Sequence, residues 1–130
     1  MNKGKLYTSY FSKLKYGKGV KISVARYNPK WLNNKYIDNW FLELAPSKDL
    51  LKDYKSGKVT QDEFRKRYLS EQNLITINRL KTLLDNGQDV TIYCYEKPSD
   101  FCHRHIIGDL FRSIGYEVEE IEFLKERKLY

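Results

Sequence analysis

Alternating apolar and polar positions along the chain predict four β-strands. The first covers residues 5–10, the second residues 21–25 and the last residues 116–123. The clearest strand covers residues 89–95, because β-branched and aromatic side chains stand on both of its faces, as is typical of a central strand. Acidic residues in the last segment favour an edge position in the sheet.

Helical spacing of apolar residues predicts helices between these strands. Ser47 is the expected N-cap of a short helix that ends before Gly57. The residues Thr60-Gln61-Asp62-Glu63 have the pattern of a capping box. They open an apolar stripe that continues to Gly87, with a bend expected at residues 70–73.

A last helix and two irregular segments complete this pattern. Ser99 or Asp100 is expected to cap a helix that packs on the core and ends at Gly115. Residues 11–19 are expected to form a basic loop. For residues 31–44 the spacing fits a helix, but strand character near its end fits as well, and both stay open.

Strands that alternate with helices through short links are typical of an α/β fold. We therefore expect a mainly parallel sheet flanked by helices, within a single domain of residues 1–130. A chain of this length buries one core. No apolar run approaches the roughly 18 residues that span a bilayer, and no signal-type stretch opens the chain. These features predict a cytoplasmic protein with no membrane contact.

Positive charge is concentrated ahead of the first acidic residue, Asp38, in a chain whose formal net charge is +7. Aromatic rings are interleaved with these cations, a composition that suits phosphates and bases. The alternative is that the rings belong to the core and the lysines are only solvated. The basic residues are Lys3, Lys5, Lys13, Lys15, Lys18, Lys21, Arg26, Lys30 and Lys35, and the rings are Tyr7, Tyr10, Phe11, Tyr16, Tyr27, Trp31 and Tyr36.

The strand of residues 89–95 leads into the last helix through a segment rich in reactive side chains. Cys94, Glu96 and Lys97 lie at the carboxyl end of the strand, and Cys102-His103-Arg104 falls in the first helical turn. In parallel α/β sheets, ligands bind at this edge. Unpaired N–H groups at a helix N-terminus also favour an anion. The segment therefore predicts a site for a phosphate or a carboxylate.

Two side chains of this segment are candidates for catalysis, and both are expected to face the sheet. Cys102 is a candidate nucleophile, because a helix N-terminus and a neighbouring cation lower a thiol pKa. The alternative is a small buried side chain at a tight junction. His103 is a candidate acid or base, the alternative being a buried histidine whose hydrogen bonds are satisfied. A structural disulfide between Cys94 and Cys102 is not expected.

Charged neighbours complete the predicted site. Arg104 is expected to hold a phosphate or carboxylate bidentately, with a salt bridge to Glu96 or Asp100 as the alternative. Glu96 is a candidate general base or hydrogen-bond acceptor for a base or sugar. Its alternative is an ion pair with Lys97 or Arg104. Arg26 is expected at the end of the second strand.

The same segment holds atoms that bind metals, but not at a recognised spacing. The donors are Cys94, Glu96, Cys102 and either His103 or His105. His105 is expected to point away from His103 on the helix. We therefore expect neither a metal nor another cofactor.

The segment Cys94-Tyr95-Glu96-Lys97, followed by Phe101-Cys102-His103-Arg104, resembles the hallmark of a bacterial and phage family known as domain of unknown function 488. Residues 22–29, 44–47 and 54–68 support the resemblance. It implies a single α/β domain and no established activity. The short, lysine-rich opening departs from many longer members. The site that the resemblance implies consists of Arg26, Cys94, Glu96, Cys102, His103 and Arg104.

These observations lead to three functional hypotheses. The first is a protein that binds a phosphate-bearing ligand, a nucleotide or nucleic acid, at the Cys-His-Arg segment and acts on it. The second is a non-catalytic nucleic-acid-binding module that uses the basic aromatic N-terminal segment. The third is a thiol-dependent enzyme acting on a small metabolite. In the first, the catalytic residues are Cys102, His103 and Glu96, and the ligand-binding residues are Arg104, Arg26, Cys94 and Lys97.

Overall fold

One parallel sheet organises the residues that the computed structural model describes, which are 2–32, 36–95 and 101–121. Its strands are β1 (Leu6–Tyr10), β2 (Val20–Ser23), β3 (Asn39–Trp40), β4 (Val90–Cys94) and β5 (Val118–Glu120). They lie in the order β3-β2-β4-β1-β5, and all neighbours are parallel. The predicted α/β class, with a parallel sheet in a single small domain, is confirmed.

Strand β4 is the centre of the sheet. All of its residues are buried, and it pairs with β1 on one side and β2 on the other. In this register Cys94 lies opposite Tyr10 of β1, and Tyr93 lies opposite Ser23 of β2. The carboxyl ends of the three strands therefore meet at one edge. The predicted central strand is confirmed, as is the edge position of β5.

Four α-helices pack with the sheet. They are α1 (Lys48–Lys55), α2 (Gln61–Glu71), α3 (Leu74–Asp85) and α4 (His103–Ser113). The main core joins apolar side chains of β1, β2 and β4 to side chains from all four helices. It includes Leu6, Ile22, Ile92, Leu50, Phe64, Leu80 and Phe111.

The predicted caps explain where two of these helices begin, and a third helix begins at a cap that was not predicted. Ser47 accepts a hydrogen bond from the amide of Leu50, and Thr60 and Glu63 form the reciprocal capping box. The expected bend is a break between two helices, because Gln72 is extended and the Asn73 side chain caps α3.

Helix α4 begins two or three residues later than expected. Cys102 is at its N-cap position, and its side chain makes no capping hydrogen bond. The predicted caps, Ser99 and Asp100, lie outside the described residues. Gly115 follows the helix with a φ of 100°, a value that favours glycine, so the predicted end is confirmed.

The expected loop of residues 11–19 was wrong in its first part. Phe11–Tyr16 form a 3-10 helix, in which residues three apart lie one above the other. Phe11 and Leu14 thereby pack in a second small core with Ala25 and Tyr93. Tyr93 also donates a hydrogen bond from its hydroxyl to the Leu14 carbonyl.

The segment left open, residues 31–44, contains the strand alternative rather than an α-helix. Strand β3 pairs with β2, and Leu42–Leu44 form one turn of 3-10 helix. Phe41 and Leu44 are both buried, which explains the helix-like apolar spacing. None of the helices among the described residues is long and apolar enough to cross a membrane.

Candidate functional site

A pocket of about 350 Å³ opens where β2 and β4 end. Arg26 follows β2, Cys94 is the last residue of β4, and His103 is the first residue of α4. The predicted residues from two strands and one helix therefore share one cavity at the carboxyl edge of the sheet, where parallel sheets bind ligands. The other lining residues are Ala25, Tyr27, Pro46, Leu51, Lys55 and Tyr95.

Arg26 is held in place by a backbone carbonyl. Its Nε and Nη2 atoms donate to the Pro46 oxygen at 3.2 and 3.0 Å, and its side chain is half-buried. Two hydrogen bonds to one acceptor fix the plane of the guanidinium group, whose charge the neutral carbonyl does not cancel. Arg26 thus presents an oriented positive charge to the pocket.

His103 is buried and neutral. Its Nε2 atom lies 2.6 Å from the Val24 oxygen, and since a carbonyl only accepts, Nε2 carries the proton. Burial lowers the His103 pKa to about 4, despite an opposing effect of the Val24 hydrogen bond, and the positive Arg104 nearby lowers it further. The lone pair is then on Nδ1, 3.7 Å from the Cys102 sulfur. His103 can therefore accept a proton on the side that faces Cys102.

Cys94 and Cys102 are joined in a disulfide bond, so the expectation that they would remain unpaired was wrong. The strand-to-helix junction brings the two buried side chains together across a separation of eight residues. Cys94 lines the pocket, whereas Cys102 is not among the lining residues. The two cysteines thus differ in their access to a ligand.

Arg104 points into the protein. It is fully buried, and its Nη2 and Nε atoms donate to the two carboxylate oxygens of Glu120 at 3.1 and 3.4 Å. Its Nη1 atom lies 2.7 Å from the Cys94 sulfur. The two-pronged contact predicted for a ligand is thus made to a carboxylate of the protein itself. Arg104 is not among the residues that line the pocket, but it contacts Cys94, which is.

Two predicted residues, Glu96 and Lys97, lie outside the described residues. In the described ranges, no group of three or more histidine, cysteine, aspartate or glutamate side chains is arranged to hold a metal ion. Half-buried His105 follows Arg104 on α4, and it is not among the residues that line the pocket.

Several residues of this region were not predicted as members of the site. Lys55 reaches the pocket from the last turn of α1, and Tyr27 and Tyr95 line it from the two strand ends. A signal existed for Glu120, since the period of two in a strand places it on the same face as Val118. For Lys55 there was none, because the meeting of α1 with Arg26 at one pocket is a tertiary relationship.

The basic aromatic segment divides between core and surface. Tyr7 and Phe11 are buried, and the amino group of Lys18 lies 5.9 Å from the centre of the Tyr7 ring. By contrast, Tyr27 and Trp31 are each 59% exposed. The core interpretation is therefore confirmed for Tyr7 and Phe11, and the binding interpretation of the exposed rings stays a prediction.

No curated protein matches the chain. A family model described as the active DUF488-N3 subclade, DUF488-N3a, matches residues 6–115. This match covers strands β1 to β4 and all four helices described above, and it ends before β5. It also covers the Cys-His-Arg segment and Arg26 on which the resemblance was based. The chain therefore belongs to the DUF488-N3a family, within the larger group of DUF488 domains of unknown function.

Proposed function

We propose that the protein binds a phosphate-bearing ligand, a nucleotide or a nucleic acid, in the pocket between β2 and β4, and acts on it as an enzyme. The observation that carries the proposal is the fixed guanidinium group of Arg26 in a pocket that Cys94 and His103 also line. In this cavity the cation can bind the ligand, and the sulfur and the neutral imidazole can take part in a reaction.

The cations of the pocket support a phosphate group. Arg26 has no partner for Nη1 among the described residues, and exposed Lys55 lies on the helix side of the cavity. The first turn of α4 adds N–H groups and the positive end of a helix dipole. These groups have the same sign and converge on the same space.

Aromatic rings at the pocket support a base rather than phosphate alone. Tyr27 and Tyr95 are 59% and 49% exposed, and both line the cavity. The Tyr95 ring is held edge-on by Phe11, with ring centres 5.2 Å apart. An exposed ring that is fixed in place stacks on a base at low entropic cost.

The chemistry proposed is proton transfer at His103, with Glu96 as a second acid–base group. His103 is neutral at physiological pH because burial lowers its pKa, and its lone pair is on Nδ1. It therefore presents an unprotonated nitrogen that can accept a proton, although the same low pKa makes it a weaker base than a free imidazole. The family's description as an active subclade supports an enzyme over a pure binding module.

Calorimetric titration with adenosine monophosphate and with a short single-stranded oligonucleotide tests the proposal. Arg26→Gln and Lys55→Gln are each expected to weaken binding about tenfold or more, and the affinity is expected to fall as salt rises. Lys52→Gln is the matched control, since Lys52 is exposed on the same helix but does not line the pocket. Equal affinity in all three variants would overturn the proposal.

A second candidate function is a nucleic-acid-binding module on the basic aromatic segment, favoured by the exposure of Tyr27 and Trp31. Salt-dependent oligonucleotide binding that survives Arg104→Ala and Cys102→Ala would support it. Binding would then fall in a Lys15→Gln, Lys18→Gln double variant and stay unchanged in Lys55→Gln.

A further inference from the structure

The two cysteines occupy unequal positions at the pocket. Cys94 lines the cavity and ends a buried strand, and Cys102 lies behind it at the N-cap of α4. A ligand in the pocket therefore lies against Cys94, which is 1% exposed in the disulfide form, and not against Cys102. This is the arrangement of an attacking and a resolving cysteine, and it differs from the expectation that Cys102 is the nucleophile.

A buried cation stands beside the Cys94 sulfur. The Nη1 atom of Arg104 lies 2.7 Å from it, and the same guanidinium group is held from behind by Glu120. A positive group at this distance stabilises a thiolate over a thiol. Glu120 offsets part of that charge, but Arg104 stands between Glu120 and the sulfur. When the disulfide is reduced, Cys94 is the cysteine that this arrangement favours as a thiolate.

A base stands beside the Cys102 sulfur. Since His103 donates from Nε2 to the Val24 oxygen, its Nδ1 lone pair faces Cys102 at 3.7 Å. A thiol within this distance can pass its proton to the imidazole as it attacks. Each sulfur thus has the partner that its step requires, a cation for the attacking thiolate and a base for the resolving thiol.

We infer that Cys94 and Cys102 form a redox-active dithiol that exchanges with small-molecule disulfides bearing acidic groups. The Cys94 thiolate attacks one sulfur of the small disulfide, which breaks its S–S bond, forms a mixed disulfide and releases one thiolate. Cys102 then gives its proton to His103 and attacks the Cys94 sulfur, which releases the second thiolate. The proton on His103 passes to solvent. The protein dithiol is oxidised by two electrons, and the small disulfide is reduced to two thiols.

The pocket indicates the class of disulfide. Arg26 and Lys55 bring positive charge to the cavity that Cys94 lines, and both attract carboxylates. Its volume of about 350 Å³ is that of a small-molecule site and leaves room for one half of a peptide-sized disulfide. Glutathione disulfide, which carries carboxylates on each half, is therefore the probe for the test.

The experiment starts from the full chain, reduced and freed of reductant, to which glutathione disulfide is added below one equivalent. Cleavage after Glu96 separates the two cysteines, so mass spectrometry of wild type shows which sulfur carries glutathione at early times. We expect it on Cys94, followed by closure to the internal disulfide. In Cys102→Ser the mixed disulfide on Cys94 is expected to accumulate, and in Cys94→Ser modification is expected to slow about tenfold or more.

Two controls sharpen the test. A neutral probe, 2-hydroxyethyl disulfide, is expected to react more slowly than glutathione disulfide, and Arg26→Gln is expected to remove that difference while Lys52→Gln keeps it. First modification at Cys102 in wild type would overturn the inference, as would equal rates at the two cysteines. The wild-type measurement decides the assignment even if a cysteine variant fails to fold. Nucleotide binding is not measured here, so this outcome is independent of the function proposed above.

Discussion

The Nε2 atom of His103 donates a hydrogen bond to the Val24 carbonyl, and this bond joins the start of α4 to the end of β2. It sets which ring nitrogen carries the proton, and so which one faces the cysteines. The orientation of the proposed catalytic base is thus decided by a backbone carbonyl at the end of the neighbouring strand.

The pH dependence of stability follows from the His103 pKa. Burial lowers that pKa from 6.5 to about 4, so the unfolded state takes up a proton first as pH falls. The stability that neutral His103 contributes is fully present above pH 6.5 and is lost progressively between pH 6.5 and 4. Below pH 4 no further loss is expected from this residue. This difference is worth about 3 kcal/mol in the free energy of unfolding. Urea unfolding at pH 7 and pH 4.5 measures it.

His103→Gln is the variant for this measurement, since its amide still donates to the Val24 oxygen. We expect it to lose most of the decline in stability between pH 7 and 4.5. His105→Gln, which removes the half-buried neighbour, should keep most of it. An NMR titration that found His103 protonated at pH 6 would contradict the prediction.

The buried pair of Arg104 and Glu120 is expected to be costly to break. Glu120→Gln leaves the guanidinium charge uncompensated in a fully buried position, and should lower the free energy of unfolding by about 3–5 kcal/mol. Glu119→Gln is the matched control on the same strand. Glu119 pairs with Lys5 at a half-exposed site, so that change should cost about 1 kcal/mol or less. Similar losses in chemical denaturation would refute this account.

Tyr68 stabilises the loop that holds Arg26. Its hydroxyl donates to the Leu44 carbonyl, two residues before Pro46. Tyr68→Phe leaves that buried acceptor without its partner and is expected to cost about 1–3 kcal/mol, measured by thermal or urea unfolding. Tyr54→Phe removes an exposed hydroxyl with a 3.5 Å contact to Gln61, and it should change stability by no more than about 0.5 kcal/mol. If the two variants matched, the hydroxyl would have no anchoring role.

Gly19 keeps β2 close to the chain that leads into β4. Its φ is 68°, and a Cβ atom there would lie 2.0 Å from the Asp89 oxygen. Gly19→Ala therefore introduces both backbone strain and a steric clash with the Asp89 backbone. We expect it to lower the free energy of unfolding by about 3 kcal/mol or more. Gly115→Ala has a similar φ, of 100°, but meets nothing within 4 Å, and should cost about 1–2 kcal/mol. Calorimetric melting of the two variants tests this prediction. The loss of stability is expected to be larger for Gly19→Ala, which adds the clash, than for Gly115→Ala, which adds the strain alone.

The fold was predictable from the sequence where local signals are strong. The β-branched run of β4, the capping box at Thr60 and the N-cap at Ser47 each rest on side chains within a few residues. The 3-10 helix at Phe11 was missed because its apolar pair is only three residues apart and its partner Tyr93 is distant in the chain. Local periodicity does not report such packing.

For the site, the strand-to-helix rule located Cys94, His103 and Arg26 together. It did not decide which way each side chain points. Arg104 turns inward because Glu120, on a strand that follows α4, offers two carboxylate oxygens in a buried position. That partner and the Cys94–Cys102 pairing depend on how distant elements pack, so the spacing of the motif alone left both open.

The place of β4 between β1 and β2 has a consequence for the order in which the protein is made. A ribosome delivers β1 and β2 first, but in the finished sheet neither is hydrogen-bonded to the other. Since a ribosome adds about 5–20 residues per second, β4 is synthesised several seconds after β2. During this time the edges of β1 and β2 that later pair with β4 have no partner strand. The nascent chain therefore exposes two strand edges before the central strand arrives, and closure of the sheet and creation of the pocket become a single late event.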